Sequence, residues 1–181
     1  MNEDLKYRKA EPADAERIME IIRQAQAQMR ALGSLQWQDG YPARADIDRD
    51  IARGYGYVFE KSDAAENPAA AETPQKYDKG TVPGGVIAYG AIDGAWLTGG
   101  DYVVLHRLAV ADGEKGRGVA AEFMRRTEAL ARGRGVGSFR VDTNFDNRYM
   151  LRMLERLRFA YCGKIIYESG ERLAFEKPLE A

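Results

Sequence analysis

Two hexapeptides, Lys-Gly-Arg-Gly-Val-Ala at 115–120 and Arg-Gly-Arg-Gly-Val-Gly at 132–137, are near copies seventeen positions apart. Glycines at that density let a backbone come close to an anion, and phosphate is the anion such loops hold. Upstream stands His106, the only histidine of the chain and a side chain whose ordinary pKa suits it to accept a proton near neutrality. Earlier still, Trp37, Asp39 and Tyr41 set an acid between aromatics, a combination that attracts a cationic amine. The competing reading of those three is an aromatic plug over the core. For His106 it is a buried imidazole bonded to a backbone carbonyl.

These residues need elements to position them. Leu5–Ala10 reads as a strand, and a helix follows from about Ala13 to Leu32, with Ile18, Ile21, Ile22, Ala25 and Met29 on one face and Gly33 as its stop. A second short helix starts at Pro42, turns Ile47 and Ile51 inward and ends at Gly54, before a strand over Tyr55–Glu60. Residues 62–83 are rich in Ala, Pro and polar types without an apolar period, which predicts a flexible inserted loop. Apolar residues 84–92 predict a buried strand. Asp101–Val110 predicts another, with Tyr102, Val104, His106, Leu108 and Val110 on one face. Arg107 then points the other way, which suits structural pairing. A helix to about Arg132, a strand at Ser138–Asp142, a helix at Asp146–Leu157 and a closing hairpin through Ser169-Gly170 complete the order β-α-α-β-β-β-α-β-α-β-β. The fold class is a layered α/β (α+β) domain, and 1–181 is expected to be one domain.

Context separates the two hexapeptides. The first lies between a strand and a helix that begins within it, so the amides of Arg117 to Ala121 are those of a helix N-terminus, where the dipole favours an anion. The second closes that helix, where Gly133 or Gly135 serves as a left-handed cap and carbonyls face outward. The first loop is therefore the phosphate candidate. It lacks the Lys-Ser/Thr of a Walker loop, since Val119-Ala120 follow the last glycine, and it comes too late in the chain for a dinucleotide-binding turn. Residues 115–140 carry seven Lys/Arg against two Glu. That excess suits a phosphorylated ligand or, equally, a solvated helix face.

Composition narrows the class further. The 181 residues are 45% hydrophobic and 30% charged, with a formal net charge of −1. This disfavours a bulk nucleic-acid binder. One cysteine, Cys162, excludes an internal disulfide, and one histidine argues against a zinc site. Cys162 is expected to act as a small buried hydrophobe, and Trp96, among glycines, as a loop anchor. The charged start and the lack of a long apolar run predict a cytoplasmic protein with no membrane partner.

The stretch from His106 to Lys164 resembles the GCN5-related N-acetyltransferase (GNAT) superfamily. Lys115-Gly116-Arg117-Gly118-Val119-Ala120 is similar to its acetyl-CoA signature Gln/Arg-x-x-Gly-x-Gly/Ala, and residues 147–163 are similar to its Asn-x-x-Ala-x-x-Leu-Tyr-Glu-Lys-Leu-Gly-Phe segment. QWQDGYP and HRLAV also look like segments of small bacterial members. The resemblance implies a mixed, mostly antiparallel sheet, splayed between its fourth and fifth strands, with helices on both faces. It implies acetyl-CoA as co-substrate without a metal: its pyrophosphate on the amides of Lys115, Gly116, Arg117, Gly118, Val119, Ala120 and Ala121, its pantetheine beside Leu108, Ala109 and Val110, and a bond to its arm from Asn147. The implied reaction is direct acetyl transfer to a primary amine of a small molecule or peptide, with His106 as base and Trp37, Asp39 and Tyr41 at the acceptor. A homodimer is compatible with it. Lys115 replaces Gln/Arg, and Arg158 replaces the glycine before Phe159. Leu154 stands where the family commonly has the tyrosine that protonates the leaving thiolate, so a non-catalytic acyl-CoA-binding sensor is the alternative.

Overall fold

The computed structural model of the chain describes residues 5–61, 92–167 and 170–179. The expected loop at 62–83, residues 84–91 of the expected strand, and Ser169 lie outside them.

Strand β1 (Leu5–Lys9) pairs antiparallel with β2 (Tyr57–Lys61) in a ribbon of its own, in register Leu5↔Lys61 to Lys9↔Tyr57. Between them run helices α1 (Ala15–Ala31) and α2 (Arg44–Ala52). Ala15, Met19, Ile22 and Ile47 form a buried cluster joined by Ile18, Ile51 and Ala109. The expected face of α1 thus divides: Ile22 and Ala25 are buried, while Ile21 and Met29 line a cleft.

The second sheet has the order β3-β6-β7-β5-β4, formed by β3 (Ile92–Gly94), β4 (Tyr102–Val104), β5 (Ser138–Thr143), β6 (Ala160–Tyr167) and β7 (Gly170–Pro178). Among the described residues its one parallel pair is β4 with β5, and its other pairs are antiparallel. Helices α3 (Val119–Gly133) and α4 (Arg148–Arg156) cover one face: Met124, Ala131 and Leu154 pack on Phe139, Val141 and Phe159. Leu154 is fully buried in this core. On the other side Cys162 packs with Ile165 and Ala174, and burial pushes its thiol pKa up, as suits an inert residue. Trp96 anchors its loop by stacking 4.4 Å from the Arg140 guanidinium, which also lies 4.0 Å from the Tyr102 ring. Glu176 closes this set, accepting from Ser138 Oγ at 2.5 Å, from the Leu97 amide at 2.5 Å and from Thr98.

The helix ends explain two sequence features. At the end of α3, the amide of Gly135 bonds Arg132 O and that of Val136 bonds Ala131 O, the Schellman pattern, with Gly135 at φ 70°. The second hexapeptide is a helix stop. At the end of α4 the same pattern recurs, Arg158 N–H to Glu155 O and Phe159 N–H to Leu154 O, but the left-handed position belongs to Arg158 at φ 62°. An arginine there carries a steric cost that glycine avoids, on the order of 1 kcal/mol. Arg158→Gly is therefore expected to raise the melting temperature by about 2–4 °C, the shift that energy gives in a chain of this size. A calorimetric scan in which the variant melts at or below wild type would contradict the assignment of strain.

Candidate active site

The β4–β5 ladder ends at Val104↔Arg140, and the Leu105 amide adds one bond to Arg140 O at 3.3 Å. Beyond it the two strands part, while β5 continues to Thr143. Two residues on, Arg107 turns the chain with φ 57°, an uncommon conformation for a side-chain-bearing residue. Its guanidinium is held there by Asp50 at 2.9 and 2.5 Å and by the Tyr41 hydroxyl oxygen. The turn corrects the expected alternation over 101–110. Leu108 packs against the α3–α4 core with Val103 and does not follow Val104 and His106. Arg107 is a pairing residue, as expected, although the chain turns at it and does not run on as a strand.

A cleft of about 1400 Å³ opens where the strands separate. His106, Leu108, Ala109 and Val110 line it, together with Trp37, Asp39 and Tyr41 and with Val119 and Asn147. The α1–α2 loop that brings the aromatic residues is fixed by Ser34 Oγ donating to Asp146 at 2.9 Å and by Gln26 donating to Tyr41 O at 3.2 Å. Asp39 is turned back on its own loop, accepting from the Tyr41 amide at 3.3 Å.

At the inner end His106 Nδ1 lies 3.8 Å from Asp142 Oδ1. Asp142 also accepts a hydrogen bond from the Tyr167 hydroxyl. Burial lifts the Asp142 pKa above the usual carboxylate range, opposed by His106 and Arg172. Burial, reinforced by the Asp142 charge, pushes the Tyr167 phenol up as well. Such a carboxylate, half-desolvated beside an imidazole in a cleft, is an arrangement that orients a base.

At the outer end the first helical bond of α3 runs from Glu122 N–H to Gly118 O at 3.0 Å, so Val119, Ala120 and Ala121 offer amides without partners inside the helix. Gly116 and Gly118 have φ of 78° and 80°, and a Cβ built on either would meet no atom within 4 Å. That open side and the first-turn amides suit a phosphate held by backbone. The side chains are engaged elsewhere: Lys115 with Asp112 at 2.5 Å and Arg117 with Glu114 at 3.1 Å. The positive run farther along is a helix face, with Arg125 and Arg126 on Glu122 and Arg132 on Glu128. Asn147 caps α4, its Oδ1 accepting from the Met150 amide at 3.2 Å.

The acetyltransferase (GNAT) family model matches residues 28–159. The chain belongs to the GNAT family. An acetyltransferase of that family from Streptococcus agalactiae is 32% identical, with 99% of this chain and 98% of that one covered at a TM-score of 0.76. Two further structures share the GNAT fold at lower identity. A GNAT acetyltransferase from Listeria monocytogenes is 21% identical, covering 97% of this chain and 95% of its own, at a TM-score of 0.63. The yncA protein of Salmonella typhimurium, solved with its cofactor acetyl-CoA, is 18% identical over 98% and 95%, at 0.56. No curated protein was found to match. GNAT acetyltransferases use acetyl-CoA, and the open glycine turn and first-turn amides of this GNAT chain fit its phosphates. Among the described residues no three His, Cys, Asp or Glu gather as a metal site, and no helix is long and apolar enough to cross a membrane.

Two side chains of this GNAT cleft escaped the reading of the sequence, Asp142 and Arg172. Asp142 did leave a trace, because Ser138, Arg140 and Asp142 alternate with apolar residues in a strand that is otherwise buried. A carboxylate in such a strand needs a partner.

Proposed function

We propose that the chain, as one domain over 1–181, is a cytoplasmic acetyl-CoA-dependent N-acetyltransferase acting on a primary amine of a small molecule or peptide. The observation that carries this reading is the continuity of one cleft from Val119, at the start of α3, past Leu108–Val110 to His106 and Asp142. Acetyl-CoA supplies an acetyl thioester that an amine nitrogen attacks directly, forming the C–N bond as the C–S bond breaks. The backbone of 115–121 holds the phosphates, the stretch 108–110 and Asn147 position the arm, and Trp37, Asp39 and Tyr41 border the amine. His106 takes the proton the ammonium must lose before attack. Asp142 holds the imidazole, and Tyr167 holds Asp142.

No phenol is assigned to the leaving sulfur. Leu154 is sealed in the core. Tyr161 is 56% exposed and meets the Phe175 ring edge-on. Tyr167 lines the cleft, but its hydroxyl is bound to a carboxylate that disfavours giving up the proton. An unperturbed thiol has a pKa of about 8.5, so the thiolate leaves without an acid. Accordingly kcat/KM is expected to rise once with pH, with no falling limb between pH 9 and 10. Tyr161→Phe and Tyr167→Phe should each change the rate less than about fivefold. A bell-shaped profile whose alkaline limb vanishes in either variant would identify that phenol as the acid. The reading as a whole is tested by following CoA release across a panel of primary amines. Tight acetyl-CoA binding with no turnover of any amine would leave the acyl-CoA sensor as the function.

A further inference from the structure

Several guanidiniums line the cleft, and they are not engaged alike. Arg8 is forked onto Asp14 at 2.7 and 2.9 Å and reaches Glu60 at 2.8 Å. Arg107 is held by Asp50 and Tyr41, and Arg49 by Asp46 at 3.2 Å. Arg172 lines the same cleft from β7, yet it has no carboxylate within ion-pair distance among the described residues. Its contacts are the Glu171 carbonyl at 3.0 Å and Asn144 Oδ1 at 3.5 Å, both made by the single nitrogen Nη1. The rest of the fork, Nε and Nη2, keeps its donors.

Strand register places this side chain near Asp142, the partner of the proposed base. Asp142 pairs with Ala174 across β5–β7. Arg172, two residues before Ala174, stands on the same face. The nearest negative charge, Asp142, is already engaged by His106 and by the Tyr167 hydroxyl. The charges of His106 and Arg172 both act on this one carboxylate. Both line one cleft, so a ligand with its nitrogen at His106 would have in Arg172 a planar, bidentate anion receptor on the same cleft.

Resting on the acetyl-transfer reading, we propose that the acceptor is an amine carrying its own carboxylate a few bonds away, an amino-acid-type zwitterion, and that Arg172 binds that carboxylate. A carboxylate matches one guanidinium in charge and shape, whereas a phosphate would set a second negative charge against Asp142. The terminal carboxylate of a peptide lies too many bonds from its amine to serve both ends.

The test is calorimetric titration of CoA-saturated protein with free L-amino acids, each against its C-terminal amide, beside an acetylation assay on the same compounds. The best amino acid should bind at least about tenfold tighter than its amide, the scale of a charged hydrogen-bonded contact. Arg172→Met should erase the preference without lowering the melting temperature of the ligand-free protein, and Arg172→Lys should keep part of it. Equal binding of acid and amide, no binding of any amino acid, or an undiminished preference in Arg172→Met would overturn the proposal. The two readings fail separately. Amino acids bound through Arg172 but never acetylated would sink acetyl transfer and keep the site. Acetylation of amines with no preference for a carboxylate would do the reverse.

Discussion

With valine at position 118, acetyl-CoA is expected no longer to raise the melting temperature of the protein. A ligand bound only by the native state stabilises it by RT ln(1 + [L]/Kd), about 2.7 kcal/mol at a hundredfold excess over Kd. Wild type should therefore show a clear upward shift. Gly118 precedes α3 at φ 80° and faces open space. A valine there both strains the turn and fills the side from which a phosphate would approach the amides. The strain alone is on the order of 1–2 kcal/mol, a few degrees in a chain of this length. The ligand-free variant should melt that close to wild type while the cofactor shift disappears. Gly135→Ala is the matched control, since Gly135 at φ 70° caps the other end of α3. It should lower stability and leave cofactor affinity unchanged. A full acetyl-CoA shift in Gly118→Val would move the phosphate site away from this turn.

His106→Ala is expected to lower kcat/KM by about 10²- to 10⁴-fold, the range of a positioned base, and to flatten the part of the pH rise that the imidazole supplies. Asp142→Asn should cost less, roughly tenfold, as the loss of one charge-assisted contact of about 1.5 kcal/mol. Stability separates that loss from simple damage. Burial raises the Asp142 pKa in the folded protein, so the native state holds the proton more tightly than the unfolded chain. Any stability this gives is present below the unfolded value of about 3.9 and is lost as pH rises through the folded one. At pH 8 the buried charge is a cost. Asn removes it, so Asp142→Asn should melt no lower than wild type at pH 8 although it is slower. A variant that is slower and also clearly less stable there would make Asp142 a structural residue, and unchanged kinetics in His106→Ala would remove the base.

The parts of the fold legible in the sequence were those set by local order along the chain. The two hexapeptides could be told apart because one precedes a helix and the other follows it, and the cap at Gly135 has the expected geometry. The apolar spacing in α4 marked the face that packs, and that in α1 marked only part of it. What was not legible depends on register and on long-range pairing. Asp142, Tyr167 and Arg172 meet because β5, β6 and β7 align Asp142↔Ala174 and Ile165↔Arg172, and spacing carries no register between strands. The reversal at Arg107 comes from Asp50 and Tyr41, which lie 57 and 66 residues away. Positive charge misleads for the opposite reason, since neighbours one helical turn away absorb most of it.

The cleft separates what grips the carrier from what meets the acetyl group. On the proposed reading, the turn at 115–118, the first amides of α3 and the stretch beside Leu108–Val110 hold parts that acetylated and free coenzyme A have in common. Nothing in that grip distinguishes a loaded carrier from a spent one. The released thiol then competes for the place it has just left. The pace of such a protein would follow the ratio of acetylated to free carrier around it more closely than the amount of either.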